Sequence, residues 1–526
     1  MRRDKGTMGR RLSAVMLAAA LALSAAACGN QDKETEEGTG PQTESGSEKE
    51  TQKQTENTPK EAAELKEAYK NLNEGNPIVT QRYSADPGVM VYDDTVYVYS
   101  TNDVFEYRAG LMTENTYGTI RTINCFSSKD LVNWTDHGAI PVAGDKGIAK
   151  WASNSWAPCA AHKTIDGKEK FFLYFANSAG GIGVLEADSP IGPWVDPIGK
   201  PMITKASPNC ADVEWMFDPA VLVDDDGQAY LYFGGGVPNG QAANPKTLRA
   251  ARLGDDMVSL ATTPVEIDAP YLFEDSGITK IGDKYYYSYC SNFSTAGSEY
   301  NGGAIQLMVS DNPLGPFTYH KELFANPGAF GCFATDDGNS GGNNHHSFFE
   351  FKGKYYLAYH TRTLELAELK KNLGYRSTHI DEVTVVDGDP QPLKPTSKEG
   401  PAQLVNLNPY DTVRAATMAI QAGVLVTGEG DTIVAGIEDG DWTGVKGVDF
   451  GDGASEIAVT VSISGETSVE IHAGSPDGDL LGTIAIAKTD GTPETYKTAV
   501  TGAKGVMDIY FVFRGGMKFE TWQAYK

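Results

Sequence analysis

Five times along its middle portion the chain repeats one local form: a run of β-prone residues, a turn rich in Asp or Gly, and a second run dense in aromatics. The stretches read "DPGVMVYDDTVYVYST", "APCAAHKTIDGKEKFFLYFANS", "DPAVLVDDDGQAYLYFGGG", "EDSGITKIGDKYYYSYCSN" and "HHSFFEFKGKYYLAYHTR", with turns near residues 94, 167, 226, 282 and 353. Alternation on both sides of such a turn reads as a β-hairpin. Several hairpins are followed by a shorter echo, "SSKDLVNWTDHG", "ADSPIGPWVD" and "SDNPLGPFTY", each a short strand, a Pro/Gly corner and an aromatic. One such unit cannot bury its apolar faces alone, so successive units must pack on one another. Repeated units of about four short strands are the sequence form of a β-propeller. Five units predict five blades over residues 76–395, and a β-sandwich with accidental periodicity is the competing reading.

The character changes after "VVDGDPQPLKPTSKEGPAQL". Residues 405–526 lack the hairpin repeat and alternate in short strands between Gly/Asp turns, which predicts a β-sandwich of jelly-roll form. The fold expected is therefore all-β, a five-bladed β-propeller followed by a sandwich. At the other end, residues 1–28 join Arg2, Arg3, Lys5, Arg10 and Arg11 to the apolar "LSAVMLAAALALSAAAC", an export signal with the wrong flanks for a membrane span. Residues 29–75 begin with a stretch to about residue 60 that holds no aromatic or aliphatic side chain, and they read as a disordered tether. Its last part, "EAAELKEAYKNL", has the pattern of a short helix. Cys125, Cys159, Cys210, Cys290 and Cys332 are widely spaced and form no ligand pattern, so they read as buried thiols. Seventy acidic residues against 44 basic ones leave a net charge of −26. That balance repels nucleic acid and gains nothing from an anionic membrane surface, while a neutral polysaccharide is compatible with it.

In a propeller the first strand of each blade is innermost, so equivalent starting positions converge on the axis. The residues that stand ahead of the five turns are Asp86, the "SWAP" stretch around Trp156, Asp218, Glu274 and His345. Three carboxylates, an indole and an imidazole are thus expected around one pocket. Alternation places Asp275 on the strand face opposite Glu274, and it lets only one of His345 and His346 face the axis. His345 is the inward one by register, where a metal ion at the pocket floor would meet it. A single Asp before Pro is ordinarily a turn former, but three acids at matched places argue for chemistry. Glycoside hydrolysis needs one protonated carboxyl and one ionised carboxylate. A third acid and apolar surroundings push the two pKa values apart. "VDDDG" (Asp224 to Gly227) lacks the spaced ligands of a calcium loop and reads as a hairpin turn.

The strings "SADPGVMVY", "WASNSWAPC", "FDPAVLVDDDGQAYLYFGGG", "APYLFEDSGI", "GNNHHSFFEFKGKYYLAYH" and "GYRSTHIDEV" follow in order over residues 76 to about 390. Together they resemble glycoside hydrolase family 43, and within it the enzymes that debranch arabinoxylan. The resemblance implies an inverting hydrolase that releases α-L-arabinofuranosyl groups from this plant cell-wall polysaccharide. Asp86 would be its general base, Asp218 the acid that tunes pKa and Glu274 its general acid, with the reacting carboxyls about 6.5 to 9.5 Å apart. It further implies that Trp156 lines the sugar pocket, that Arg376 of "GYR" contacts substrate, and that His345 sits beside a central calcium ion, with no organic cofactor. Asn344 stands where the family has glycine. β-Xylosidase or arabinanase activity, a retaining fructan or sucrose hydrolase, and a non-catalytic glycan-binding lipoprotein are the alternatives.

"SAAAC" resembles a bacterial lipoprotein signal and implies cleavage before Cys28, lipid on its sulfur, and an extracellular protein that meets the membrane only through that anchor. Ordinary secretion is the other reading. The C-terminal part resembles a family 6 carbohydrate-binding module through "DGDWTGVKGVDFGDGA", "VEIHAGSPDGDLLGTIAI" and "GVMDIYFVFRG". The positions of its two sugar-stacking aromatics read Val445 and Pro493, and Lys518 stands for its sugar-bonding asparagine. Val and Pro forfeit most of the aromatic contribution. "VRAATMAIQ" also lacks the paired glutamates of a structural calcium site. A module that buttresses the first domain, or binds elsewhere, is expected.

Overall fold

The computed structural model describes residues 63–330, 342–396, 398–463, 465–487 and 489–526. The export signal, most of the tether, Cys28 and Cys332 lie outside these residues. The described chain is nearly all strand, with one short α-helix, Thr363–Leu369.

All five expected hairpins form. Their turns join Tyr92 to Thr95, Ile165 to Lys168, Val223 to Ala229, Ile281 to Lys284 and Phe351 to Lys354. Each hairpin opens one antiparallel sheet. The inner strands are Ala85–Tyr92, Trp156–Ile165, Ala220–Val223, Leu272–Ile281 and His346–Phe351, and each pairs outward through the later strands of its own sheet. The first inner strand touches the second, the second the third, the third the fourth, the fourth the fifth, and the fifth the first. "VDDDG" is indeed a turn, in which Asp224 and Asp225 receive the Lys280 ammonium.

The aromatic second strands are explained by burial on both faces. In Lys168–Ala176, Phe171, Leu173 and Phe175 pack against Tyr99, Ile123 and Cys125 of the first sheet. The intervening Phe172 and Tyr174 pack against Leu231 and Phe233 of the third. Tyr287 and Tyr289 face Tyr232 and Leu248 of the third sheet, whereas Tyr286 faces Leu357 and Tyr359 of the fifth. Phe349 and Tyr356 return to Val96 and Phe126 of the first. A strand with period two that is apolar at every position needs a partner on each side, and the repeated sheets supply both. Cys125, Cys159, Cys210 and Cys290 are free thiols, and three of the four are buried.

Residues from Val413 onward form two packed sheets around a core that includes Val459, Ile471, Phe511 and Trp522. This sandwich is joined to the first sheet. Thr417–Met418 pairs as a fifth strand beside Trp134–Pro141. Asp136 on that strand accepts from Arg82 Nε (2.8 Å), Gln81 Nε2 (3.1 Å) and Gly138 N of its own strand (2.8 Å), while Arg82 also donates to Val426 O (2.7 Å). Asn133 exchanges two bonds of 2.8 Å with the backbone of Lys446. The module thus buttresses the propeller-like part. Val445 lies in the sandwich core at 2% exposure, so it offers no face to a sugar.

The segment expected as helix and tether behaves otherwise. From residue 63 it runs without helix along the sandwich, and Leu65, Ala68 and Leu72 cover Trp442 and Tyr510. Lys66 N donates to Gly440 O (2.9 Å) and Trp442 Nε1 donates to Lys66 O (2.8 Å). These tertiary bonds take backbone groups that a helix of this marginal length would use internally.

Asp136→Ala strands Arg82 with one carbonyl partner, and the expected loss is about 3 kcal/mol, as for other broken buried pairs. Denaturant unfolding followed by tryptophan fluorescence measures it, and an unchanged midpoint would show that the junction does not depend on this carboxylate.

Candidate active site

Four of the five inner strands have a residue in the left-handed region at or near their start: Asp86 (φ 47°), Ala157 (φ 40°), Asp218 (φ 48°) and Asp275 (φ 69°). Three of these strands carry a register shift at that point. Asp populates this region more readily than most residues, and a bulge there re-aims a side chain. Counted back from the strand ends Tyr92 and Ile281, the mate of Asp86 is Asp275, and Glu274 stands one residue earlier. The acids are therefore not at matched positions as the sequence spacing suggested.

They converge nonetheless. A cavity of about 260 Å³ is lined by Asp86, Asp218, Glu274, His345, Arg376 and Asn343, with aromatic walls from Tyr117, Trp156, Phe217 and Phe273. This is small beside most ligand pockets and suits a single sugar ring. Trp156 is held by its indole N–H on Tyr117 O (3.0 Å), and the two rings meet edge to face at 6.4 Å. Outside the wall, Phe273 packs edge-on against Trp215 and Phe293, and Phe293 is 51% exposed.

Arg376 organises the charge. Its Nη1 donates to Asp86 Oδ1 (2.7 Å), its Nε and Nη2 fork onto Asp103 (2.9 and 2.8 Å), and its guanidinium lies 4.8 Å from the Tyr117 ring centre. The loop ahead of it is pinned by Glu365, whose carboxylate accepts from the N–H groups of Leu373, Gly374 and Tyr375 (3.0 to 3.1 Å). His360 Nδ1 accepts from Asp86 N (3.0 Å) and its Nε2 meets Asn343 O (2.9 Å).

The three acids are driven apart. Burial pushes Asp86 upward, but Arg376, with His360 and His345, overrides it and holds the carboxyl far below the usual range. Asp218 lies well above its ordinary value through burial and then the charges of Asp86 and Asp275. Glu274 is also raised well above, by burial first and then by Asp218 and Asp86. Its Oε1 is buried without a hydrogen-bond partner. One ionised carboxylate thus faces a carboxyl that keeps its proton in the same small cavity.

His345 lines this cavity, with Nδ1 3.9 Å from both Asp86 Oδ1 and Asp218 Oδ2. Asp275 leaves the cavity wall as alternation required, yet it turns toward the histidines and meets both His345 and His346. The side chain of Asn344 donates to Gly303 O (3.0 Å), a role that a glycine could not fill. Calcium takes six to eight oxygens, and among the described residues no three His, Cys, Asp or Glu side chains are arranged to hold a metal. The side chains around His345 do not make an oxygen cage. Asp103, Tyr117, His360, Glu365 and Asn343 were not singled out from the sequence. Only His360 carried a local sign, a polar residue closing the buried run "YYLAYH".

Residues 74–390 match Glycosyl hydrolases family 43 and residues 414–524 match Carbohydrate binding module (family 6). The chain belongs to glycoside hydrolase family 43 and carries a family 6 module behind the catalytic part. It is 46% identical over 476 residues to an arabinoxylan arabinofuranohydrolase of Paenibacillus polymyxa, spanning 85% of this chain and 74% of the relative. A second arabinoxylan arabinofuranohydrolase, from Bacillus subtilis (strain 168), is 45% identical over 484 residues, 86% of this chain and 93% of the relative. A crystal structure of a family 43 arabinoxylan arabinofuranohydrolase from Bacillus subtilis in complex with cellotetraose superposes with a TM-score of 0.84 at 44% identity, over 87% of this chain and 99% of that one.

The electrostatics make the pH profile a test. Activity is expected to persist on the acid side until below the usual carboxylate range, where Asp86 takes up a proton, and to fall on the alkaline side as Glu274 loses its own. Asp218→Asn removes a negative neighbour and should move the alkaline limb of kcat/KM to lower pH. A limb that stays in place would show that burial, and not the Asp218 charge, raises the Glu274 pKa.

Proposed function

We propose that the protein is an inverting α-L-arabinofuranosidase that removes arabinose branches from arabinoxylan, with Asp86 as general base, Glu274 as general acid and Asp218 as the carboxyl that keeps Glu274 protonated. The observation that carries this reading is the opposed pKa displacement of Asp86 and Glu274 inside a cavity sized for one sugar. The names of the two relatives, which span most of this chain, support the substrate. In this reading Glu274 gives its proton to the leaving oxygen while Asp86 takes one from the attacking water. The walls of Trp156 and the Arg376 guanidinium orient the furanose, and the arabinose enters end-on because the cavity has no room for a chain. The xylan backbone then lies outside, along the Trp215, Phe273 and Phe293 aromatics.

The scaffold is read as a five-bladed propeller closed by its first and last sheets, followed by a jelly-roll sandwich. The cyclic contacts of the five inner strands support that reading. A calcium ion near His345 would draw its oxygens from backbone carbonyls and water. The export signal and Cys28 are read as a lipoprotein anchor that keeps the enzyme on the outer side of the cell membrane.

Proton NMR of the sugar freshly released from arabinoxylan tests activity and stereochemistry together. Arabinose is expected, appearing first as the β-anomer. Xylose would move the specificity to β-xylosidase, a retained anomer would overturn the base assignment, and absence of release would return the glycan-binding reading. Glu274→Gln is expected to lose about 10²- to 10⁴-fold in kcat/KM on arabinoxylan. The loss should be smaller on a 4-nitrophenyl arabinofuranoside, whose leaving group needs no proton. Cys28→Ser should move the protein from the membrane fraction to the medium, and retention at the membrane would refute the anchor.

A further inference from the structure

A second cavity, larger than the catalytic one, opens where the sandwich joins the first sheet. Its volume is about 460 Å³, against about 260 Å³ for the cavity that gathers the acids, and different residues line the two. The strand Ala85–Tyr92 lies between them. Asp86 stands at its start, and Thr95, which lines the second cavity, follows the turn at its end. At the usual rise per residue the separation along this strand is about 20 Å.

Its floor is one row across four strands. Tyr97 stands opposite Ser127, Ser127 opposite Thr135, and Thr135 opposite Thr417 of the sandwich. Directly opposed residues share a face of the sheet, so a phenol ring and three hydroxyls lie side by side at the strand spacing of about 4.8 Å. Two residues further along the same face, Tyr99 and Cys125 belong to the core shared with the second sheet. The row is therefore where an apolar face gives way to hydroxyls. Core packing does not ask for that change, because a hydroxyl set against carbon costs free energy. Thr135 and Thr417 bond to each other (2.8 Å), and each hydroxyl, with one donor and two acceptor sites, keeps capacity for a further partner.

The facing wall comes from the connection into the sandwich. Val405, Leu407 and Val413 give it carbon surface, and the exposed Asn406 gives it a free amide. The charges cancel, with Lys129 and Arg414 set against Asp130 and Asp411. They are also engaged. Asp130 accepts from the backbone of Val132 and Asn133 and from the Asn133 and Gln403 amides. Arg414 pairs with Asp431 (3.1 Å), and Asp411 holds the Asn408 amide (2.9 Å). Such a lining selects neither an anion nor a cation. Carbon surface beside neutral donors and acceptors matches a sugar ring, which has C–H faces and a hydroxyl edge. Junctions between domains are common places for ligand pockets of this volume.

We propose that this junction cavity is a second carbohydrate site. It takes a short segment of the neutral xylan backbone, with Tyr97 against a sugar face and the hydroxyls of Ser127, Thr135 and Thr417, together with the Asn406 amide, on the sugar's own hydroxyls. The inference rests on the reading of arabinoxylan as the substrate. Neither part of the chain forms the site alone, so the sandwich contributes binding as well as support. A polymer held here keeps its branches near the catalytic cavity at raised effective concentration, whereas an aryl arabinofuranoside is too small to engage both places.

The test is electrophoresis of the full chain through native gels that contain soluble arabinoxylan or, separately, the anionic polygalacturonate, with kcat/KM measured on arabinoxylan and on an aryl arabinofuranoside. Tyr97→Leu keeps an apolar side chain against the core and removes the ring. Asn406→Ala changes an exposed side chain and leaves the core untouched. Arabinoxylan is expected to retard the wild type, and each variant should weaken that binding about fivefold. The ratio of kcat/KM on the polymer to that on the aryl glycoside should fall by a similar factor, and a partly unfolded sample cannot imitate this because it lowers both rates alike. Two variants that run as wild type with an unchanged ratio overturn the proposal. Retardation by polygalacturonate that Tyr97→Leu removes also overturns it, since the cavity would then take an acidic ligand. If no arabinose is released from either substrate the proposed activity fails, while loss of retardation in the variants still upholds the site.

Discussion

The catalytic part of this protein is organised around one buried guanidinium among several buried carboxylates. Arg376 is 3% exposed and pairs with Asp103 through two nitrogens and with Asp86 through a third. Isolated buried charges are costly, and a group in that position neutralises itself when it can. One cation cannot balance Asp103, Asp86, Asp218, Glu274 and Asp275 together. The arginine spends its bonds on Asp103 and Asp86, and the carboxyls beyond its reach, Asp218 and Glu274, are raised. The division into one carboxyl held ionised and others held protonated therefore follows from where Arg376 points. Its direction depends in turn on Glu365 holding the loop ahead of it and on the Tyr117 face beside it.

That arrangement needs a scaffold that brings distant strands together without freedom to adjust. Asp86 and Arg376 are separated by 290 residues along the chain yet lie 2.7 Å apart. Close packing between successive sheets supplies the rigidity, since each aromatic second strand is buried on both faces. At Gly88 an added Cβ would stand 2.0 Å from Pro158 O, so the inner strands approach there as closely as backbone permits. The sandwich extends the same logic outward by covering the outer edge of the first sheet with Thr417–Met418, and the segment from residue 63 in turn covers Trp442 and Tyr510 of the sandwich.

The hairpins were legible in the sequence because turn chemistry and alternation are local. So was the gathering of Asp86, Asp218 and Glu274 in one place, since each stands near the start of an inner strand and all three line one cavity. Their relative register was not legible. The left-handed residues break the period of two on which face assignment rests, so Asp275 and not Glu274 became the mate of Asp86, and His345 and His346 came to share one carboxylate. Arg376 entered through family resemblance alone, and Asp103 and Glu365 bear no local mark because their roles are defined only by what the fold places beside them. The Leu65, Ala68 and Leu72 spacing suits a helix, but Gly440 and Trp442 of the sandwich offered its backbone other partners.

The sequence by itself determined the number and place of the hairpins, the all-β character of both parts and the acids available to the site, because these depend on propensities acting over a few residues. Tertiary structure alone decided which carboxylate keeps a proton and what the N-terminal segment becomes. Those outcomes depend on burial and on through-space charge, and both are set by residues hundreds of positions apart that meet only when the sheets pack on one another.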